Sequence, residues 1–153
     1  MVNASSNDMF VIEGGFVSIA ESNVSITNSS GEVSPGSSPG LLDIAGDYVQ
    51  EATGTLVIEI EGTAFDIDTE SYEYDRLSVE DDISLDGTLE IENNDSVYSL
   101  KQDDEFSIIT WDGTISGEFE TIITPSLSIA NAEWYLGDLY ENGTIKVIGS
   151  TLS

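Results

Sequence analysis

The chain has 153 residues, of which 30 are Asp or Glu, three are Lys or Arg and none is His, so its formal net charge is −27. This length holds one domain with a hydrophobic core, and an apolar fraction of 39% argues against a disordered acidic tail. Arg76, Lys101 and Lys146 are too few to bind nucleic acid, and no apolar run reaches the roughly 18–20 residues of a membrane span.

Short runs of alternating apolar and polar residues, typical of β-strands, begin near the N-terminus. They predict two strands around Gly14-Gly15, one at Phe10/Ile12 and one at Phe16/Ser18, and a third at 23–27. Segment 28–40, NSSGEVSPGSSPG, is poor in apolar residues and holds two of the three prolines. We expect it to be a loop or a turn-rich junction.

The clearest predicted strand is 54–61, where Leu56, Ile58 and Ile60 share one face. Similar alternation predicts further strands downstream, around Leu77/Val79, Ile83/Leu85, Leu89/Ile91, 97–100, Phe106/Ile108, Phe119, Ile122/Ile123, Trp134/Leu136 and Ile145/Val147. Segment 129–140 is compatible with a helix, although Gly137 interrupts it, and 132–140 fits a strand-turn-strand equally well. The chain is therefore predicted to be all-β.

Two all-β architectures fit this pattern. A β-solenoid stacks many short strands with tight turns, whereas a β-sandwich needs about seven strands. The short strands of the first third favour the solenoid. We expect one continuous domain, with short rungs and a Pro/Gly/Ser junction over 1–40 and a denser capped unit over 41–153. The predicted core and cap residues are Leu56, Ile58, Ile60, Leu77, Val79, Leu89, Ile91 and Trp134.

Several short motifs follow one another along the chain, beginning in the junction itself. They are the Ser-Pro-Gly pair at 34–40, Gly-Asp-Tyr-Val-Gln at 46–50, Gly-Thr-Leu at 54–56, Tyr-Asp-Arg-Leu-Ser-Val at 74–79 and Gly-Thr-Leu-Glu-Ile at 87–91. This series resembles the C-terminal passenger segment of bacterial autotransporters and large secreted adhesins. The resemblance implies a right-handed parallel β-helix with a C-terminal cap, exported and displayed on a surface. Because the resemblance does not include a membrane-embedded β-barrel domain, we do not expect self-export.

An extracellular or cell-surface location is expected on other grounds as well. High ionic strength screens the self-repulsion that 30 acidic groups create. Five Asn-x-Ser/Thr sequons occur, at Asn3, Asn23, Asn28, Asn94 and Asn142. The N-terminus, however, does not have the pattern of a signal peptide.

Calcium is the one candidate cofactor. Because the chain has neither Cys nor His, only metals that prefer oxygen ligands are plausible. Asp66, Asp68 and Glu70 lie in one apparent loop, and Asp103 and Asp104 lie in another. The first group lacks the glycine and the distal glutamate of an EF-hand.

These observations predict a protein that is not an enzyme. Pairs of neighbouring acidic residues could in principle catalyse glycoside hydrolysis. We disfavour this function, because such pairs arise by chance among 30 acidic residues. We expect a structural, adhesin-like module that binds copies of itself or neighbouring solenoid repeats. Its open strand edges would allow assembly into filaments, with Phe10, Ile12, Phe16 and Ile19 in the donor strands. The alternative is a calcium-assisted carbohydrate-binding module for surface glycans, using aromatic residues that otherwise belong to the core or its cap: Tyr72, Tyr74, Trp111, Trp134, Tyr135 and Tyr140.

Overall fold

The computed structural model describes the backbone of residues 9–12, 16–19, 21–22, 25–35, 40–69, 71–93, 98–127 and 132–149, and side chains from residue 25 onward within these ranges. It is all-β and its sheets are mostly parallel, in agreement with the predicted class. No helix in the described ranges is long and apolar enough to span a membrane.

Nineteen elements follow one another in the described residues. They are β1 (Met9–Ile12), β2 (Phe16–Ile19), β3 (Glu21–Ser22), β4 (Ser25–Asn28), β5 (Glu32–Pro35), β6 (Leu41–Ile44), β7 (Tyr48–Gln50), β8 (Thr55–Asp66), β9 (Ser71–Tyr74), β10 (Arg76–Val79), β11 (Ile83–Leu85), β12 (Thr88–Asn93), β13 (Glu105–Ser107), β14 (Ile109–Trp111), β15 (Ile115–Gly117), β16 (Thr121–Ile123), β17 (Ala132–Tyr135), α1 (Leu139–Asn142) and β18 (Thr144–Gly149).

Three parallel sheets contain most of these strands. The first sheet has the order β1-β4-β7-β11-β15, the second β2-β5-β8-β12-β16, and the third β3-β6-β10-β14. Successive strands enter the first, second and third sheets in a repeating order, so each strand lies beside the one a full cycle earlier. Two departures interrupt the cycle: β9 folds back antiparallel on β8, and β13 joins a separate antiparallel sheet, β13-β18-β17.

The register of the parallel sheets places apolar residues in columns. In the first sheet, Ile26, Tyr48, Ile83 and Ile115 are aligned. The second sheet has the column Val33, Leu56, Leu89 and Ile122, and the third has Leu42, Leu77 and Ile109. Most of these side chains are buried in one hydrophobic cluster. Alternation places every second residue of a strand in this core.

The predicted core residues all belong to or pack against this cluster. Seven of them are almost fully buried: Leu56, Ile58, Ile60, Leu77, Val79, Leu89 and Ile91. Trp134 is half-buried on β17 and packs against the same cluster. The centroid of its indole ring lies 6.2 Å from the centroid of the Phe106 phenyl ring.

Glycines occupy the corner between the first and second sheets. Gly31 O accepts a hydrogen bond from Thr55 N (2.9 Å), and Gly54 O accepts one from Thr88 N (3.0 Å). A β-carbon on Gly54 would lie only 2.6 Å from Asn28 O in the preceding corner. The backbones of successive corners are therefore in direct contact, and the distance between them leaves no room for a side chain.

The structure differs from the sequence prediction in segment 28–40. We predicted a loop there, yet Glu32–Pro35 forms β5, an inner strand of the second sheet. Val33 is the one apolar residue of the core column that this strand supplies, and it is fully buried. Pro35 is the last residue of β5, and the pairing of β5 with β8 involves Glu32 and Val33, so the missing N–H of Pro35 is not needed there.

The C-terminal region matches neither of the alternatives left open for 129–140 in full, because a strand is followed by a turn and then by a short helix. Ala132–Tyr135 forms β17, and after a turn Leu139–Asn142 forms the four-residue helix α1. The helix ends at Gly143, which has the left-handed φ of 73° that favours glycine. Leu139 is the buried residue of this helix and anchors it to the core.

Candidate functional site: the end of the core at β15 and β16

The core is less well covered where the stack ends at β15 and β16. In the first sheet Ile83 is 1% exposed, whereas its neighbour Ile115 on β15 is only partly buried. In the second sheet Leu89 is fully buried and its neighbour Ile122 on β16 is again partly buried. Both isoleucines continue inward-facing columns, so the difference arises because no further strand lies over them in the described part of the chain.

The third sheet ends differently. Gly143 O accepts hydrogen bonds from Ile108 N (2.9 Å) and Ile109 N (3.3 Å), and Gly143 follows α1 directly. Ile109 is fully buried as a result. The chain therefore covers the end of the third sheet with its own helix-terminal segment.

Two further contacts tie the C-terminal region to this end of the core. Phe119 N, between β15 and β16, donates a hydrogen bond to the Tyr140 hydroxyl (3.1 Å). Trp134 Nε1 donates to Pro125 O, which follows β16 (3.0 Å). These contacts hold the C-terminal region beside β16, while the strand itself stays exposed at Thr121 and Ile123.

In the described residues, β15 pairs with β11 alone and β16 pairs with β12 alone. The outer edge of each strand consequently presents backbone donors and acceptors that these ladders do not use. At the opposite end, β1 pairs with β4, β2 with β5 and β3 with β6.

The predicted self-assembly residues lie at that opposite end. Phe10 and Ile12 are in β1, and Phe16 and Ile19 are in β2, so all four occupy edge strands of the parallel sheets. Phe10 aligns with Ile26, and Ile12 aligns with Asn28. The side chains of these four residues lie outside the part of the structure that is described.

The acidic residues predicted as calcium ligands have local roles. Asp66 Oδ1 accepts hydrogen bonds from Asp68 N (3.0 Å) and Thr69 N (3.3 Å), which closes the turn between β8 and β9. Glu70 lies outside the described residues. Across the described ranges, no three acidic residues are close enough together to hold a metal ion. The calcium site stays a prediction.

The second acidic pair closes a turn before β13. Asp104 Oδ2 accepts hydrogen bonds from Lys101 N (2.8 Å) and from the Tyr98 hydroxyl. Asp103 adopts a left-handed φ of 74° and donates its N–H to Val147 O (2.7 Å). These contacts connect the turn to β18, far from the β8–β9 turn along the chain.

Tyr72 and Tyr74, two of the aromatic residues predicted to bind a glycan, belong to an aromatic cluster beside β9. The Tyr72 and Phe65 ring centroids are 4.5 Å apart, and those of Tyr74 and Phe106 are 5.3 Å apart. Arg76 lies 3.8 Å from the Phe65 ring centroid and donates from Nε to Ser107 O (2.8 Å). This cluster joins the β8–β9 hairpin to β13.

Trp111 stands apart from that cluster. It lies half-buried at the end of β14 and lines a shallow cleft together with Thr110, Glu141 and Asn142. The cleft thus combines an aromatic ring with a hydroxyl, a carboxylate and an amide.

Sequence reasoning missed a set of buried polar residues that join the sheets. Gln50, 1% exposed, donates from Nε2 to Asp86 O (2.8 Å) and Thr88 O (2.9 Å) and accepts from the Tyr48 hydroxyl (2.7 Å). Burial raises the pKa of the Tyr48 hydroxyl well above its usual value. Asn28 aligns with Gln50 and donates to Thr55 O (3.0 Å).

Asp75 is another buried polar residue that joins the sheets, and it is the one acid in the described residues that is fully buried. Its Oδ1 accepts from Gly40 N (2.7 Å) and its Oδ2 from Glu59 N (2.9 Å), so one carboxyl group joins the second and third sheets. Burial raises its pKa to about 7, and the negative charges of Glu59 and Glu61 add to the rise. Both Gln50 and Asp75 fall within the motifs that carry the resemblance, and that position was the signal that could have singled them out.

No protein-family model, curated protein or solved structure matches this chain.

Proposed function

We propose that this chain is a non-catalytic structural module with a parallel β-helix architecture, displayed outside the cell. The observation that carries the proposal is the alignment of apolar columns across three parallel sheets whose strands follow one another in a repeating order. A β-sandwich has antiparallel sheets and does not require this order. Parallel β-crossovers are nearly always right-handed, which supports a right-handed helix.

Two further observations support a structural role. Stacked glycine corners and the buried hydrogen bonds of Gln50 and Asp75 connect neighbouring strands within the described core. Resemblance to autotransporter passengers and secreted adhesins favours surface display, as does a net charge of −27. The module would serve as a spacer or an adhesive surface, with neighbouring repeats or copies of itself as partners.

A mechanical measurement tests this proposal. We expect the chain, pulled between two marker domains in a force microscope, to resist and then rupture in one cooperative event. Residues 25–149 would release roughly 40–45 nm of contour, at about 3.6 Å per residue. The reason is that each strand makes its ladder hydrogen bonds and core contacts with its neighbours, so the loss of one strand destabilises the next.

A pair of adjacent substitutions provides the control. Leu89→Asp introduces a charge at a fully buried position and should abolish the rupture event, whereas Thr88→Asp introduces the same charge at a half-buried position on the outer face and should preserve it. A wild-type chain that extends without resistance would contradict the structural role.

The second candidate function is binding of a neutral glycan, and the Trp111 cleft is the observation that favours it. An aromatic ring with hydroxyl, carboxylate and amide groups around it can stack on a sugar ring and bond its hydroxyls. On an array of neutral oligosaccharides, we expect Trp111→Ala to lower any binding at least tenfold and Tyr135→Ala, which changes an exposed tyrosine, to leave it unchanged. Repeating the array with a chelator tests the calcium requirement, and an array without wild-type binding would eliminate this function.

A further inference from the structure

The end of the core at β15 and β16 matches the opposite end of the same chain. We propose that β1 and β2 of a second copy add to β15 and β16, so that copies stack end to end through the first and second sheets. This inference rests on the proposed β-helix architecture and identifies the partner and register of its open ends.

The first support is the pattern of burial at the end of the stack. Ile115 and Ile122 are only partly buried, although each continues a column whose preceding members are almost fully buried. Further strands placed over β15 and β16 would bury them as Ile83 and Leu89 are buried. In the third sheet, Gly143 and α1 already cover the corresponding position.

The second support is the spacing of the strands at the two ends. In the sequence, three residues (13–15) separate β1 from β2, and three residues (118–120) separate β15 from β16. The corner at 29–31, between β4 and β5, has the same length. Within the chain β1 and β2 already stack in parallel on β4 and β5, so the proposed contact repeats an arrangement that the fold itself contains.

The third support is the residue type at each register position. Phe10 belongs to the column of Ile26, and Val17 belongs to the column of Val33. If the strands of a second copy continued these columns in the same register, its Phe10 would align with Ile115 and its Val17 would align with Ile122. Both positions are apolar on each side of the contact.

The proposed contact does not need strand pairing in the third sheet. Gly143 and the preceding helix α1 already lie against β14 at the end of this sheet, so no strand of a second copy is needed there. The stack would have lateral strand pairing in two sheets and a cap contact in the third.

Charge makes the contact depend on salt. Glu118 and Glu120 lie between β15 and β16, and Glu13 lies between β1 and β2 in the sequence, so the proposed contact would bring acidic residues of two copies together. Screening lengths are about 10 Å at 0.1 M salt and about 3 Å at 1 M. Assembly is therefore expected to increase with ionic strength.

The experiment begins with the wild-type chain. Sedimentation velocity at about 0.1 M and about 1 M sodium chloride should show mainly monomer at the lower concentration and a shift of most of the protein to larger species at the higher one. Negative-stain microscopy of the same samples should show the larger species as rows of particles. A monomer at both salt concentrations would overturn the proposal.

Cysteine pairing tests the register, because the chain has no cysteine of its own. Val11 aligns with Thr27, and Ser116 belongs to the same outward column through Val49 and Ser84. Val11→Cys combined with Ser116→Cys should form disulfide-linked ladders on oxidation at high salt, since neighbouring parallel strands bring Cα atoms within disulfide range. The matched control, Val11→Cys with Ser84→Cys, should form none, because Ser84 already has a strand on each side.

The outcomes separate this proposal from the proposed function. Ladders in the Val11/Ser116 variant alone support the end-to-end contact, and equal ladders in both variants contradict its register. Assembly of the wild type without ladders in either variant also contradicts it and indicates another interface. A chain that stays monomeric but ruptures cooperatively under force would retain its structural role and lose only the stacking.

Discussion

Replacing Gly87 by alanine is expected to lower the free energy of unfolding by about 2–4 kcal/mol. Gly87 lies at the corner between β11 and β12 with a φ of +68°, a left-handed conformation that costs a side-chain-bearing residue about 1 kcal/mol or more. A β-carbon there would also contact Gly54 O in the neighbouring corner and lie 2.6 Å from Glu51 O. Both obstacles are backbone atoms, so relief requires the stacked corners to separate, at a further cost of about 1–3 kcal/mol.

The measurement is urea denaturation followed by circular dichroism at 25 °C. Gly137→Ala is the matched control, because its β-carbon would meet only the hydroxyl end of the exposed Tyr135 side chain, which can move aside. We expect this control to change the free energy of unfolding by less than about 1 kcal/mol. Similar values for the two variants would mean that the corners are not stacked as closely as the structure indicates.

The second large effect concerns Asp75 and pH. Its pKa is raised from 3.8 to about 7 in the folded chain, so the folded state holds a proton that the unfolded state releases above pH 3.8. This proton stabilises the fold fully below about pH 4, and the stabilisation is lost as pH rises through about 7. At about 1.4 kcal/mol per pH unit, the full loss is of the order of 4 kcal/mol.

The comparison with Asp75→Asn isolates this contribution, because the amide does not titrate. We expect the stability advantage of the wild type over Asp75→Asn to be largest near pH 4 and to decrease towards pH 7. The variant should be less stable at low pH, since its amide N–H₂ would face either Gly40 N or Glu59 N, both of which are donors.

Glu80→Gln serves as the control for the loss of one carboxyl group, since Glu80 is exposed at the end of β10. It should not reproduce the pH dependence of Asp75→Asn. An advantage that grows with pH would contradict the prediction, because it would mean that the folded chain holds Asp75 ionised. The facing carboxylates Glu59 and Glu61 remain in both variants, so their influence is common to the comparison.

Local pattern was sufficient to predict the strands and much of the core. Leu56, Ile58 and Ile60 alternate with polar residues over a long run, and the structure buries all three. The same alternation marked β10 and β12 through Leu77 and Leu89. Period-2 alternation is a property of the strand itself and needs no knowledge of its neighbours.

The strand at Glu32–Pro35 could not be predicted in this way. It has one core residue, Val33, and it lies among serines, glycines and prolines that are typical of loops. Val33 is buried because β8 and β2 lie on either side of its strand. That burial depends on residues well outside the segment, since the aligned Val17 is 16 positions away in the sequence and the aligned Leu56 is 23 positions away.

The buried polar residues and the end of the core depend on the tertiary structure in the same way. Apart from its place in the Tyr-Asp-Arg-Leu-Ser-Val motif, the sequence around Asp75 does not distinguish it from the other acidic residues of the chain. It becomes distinctive because the fold brings Gly40 N and Glu59 N to its two oxygens. Likewise Ile115 and Ile122 repeat the apolar pattern of Ile83 and Leu89, and their partial exposure appears only when the strands are stacked.

By itself, the sequence determined the all-β class, the inward-facing residues of many strands, the absence of Cys and His and the strong negative charge. These properties follow from residue type and short-range alternation, which every strand carries within itself. The tertiary structure decided which strands are neighbours, which polar groups are buried and which end of the core is left partly open. Those features arise from contacts between residues far apart in the chain, and the energy of such contacts is not encoded in any one segment.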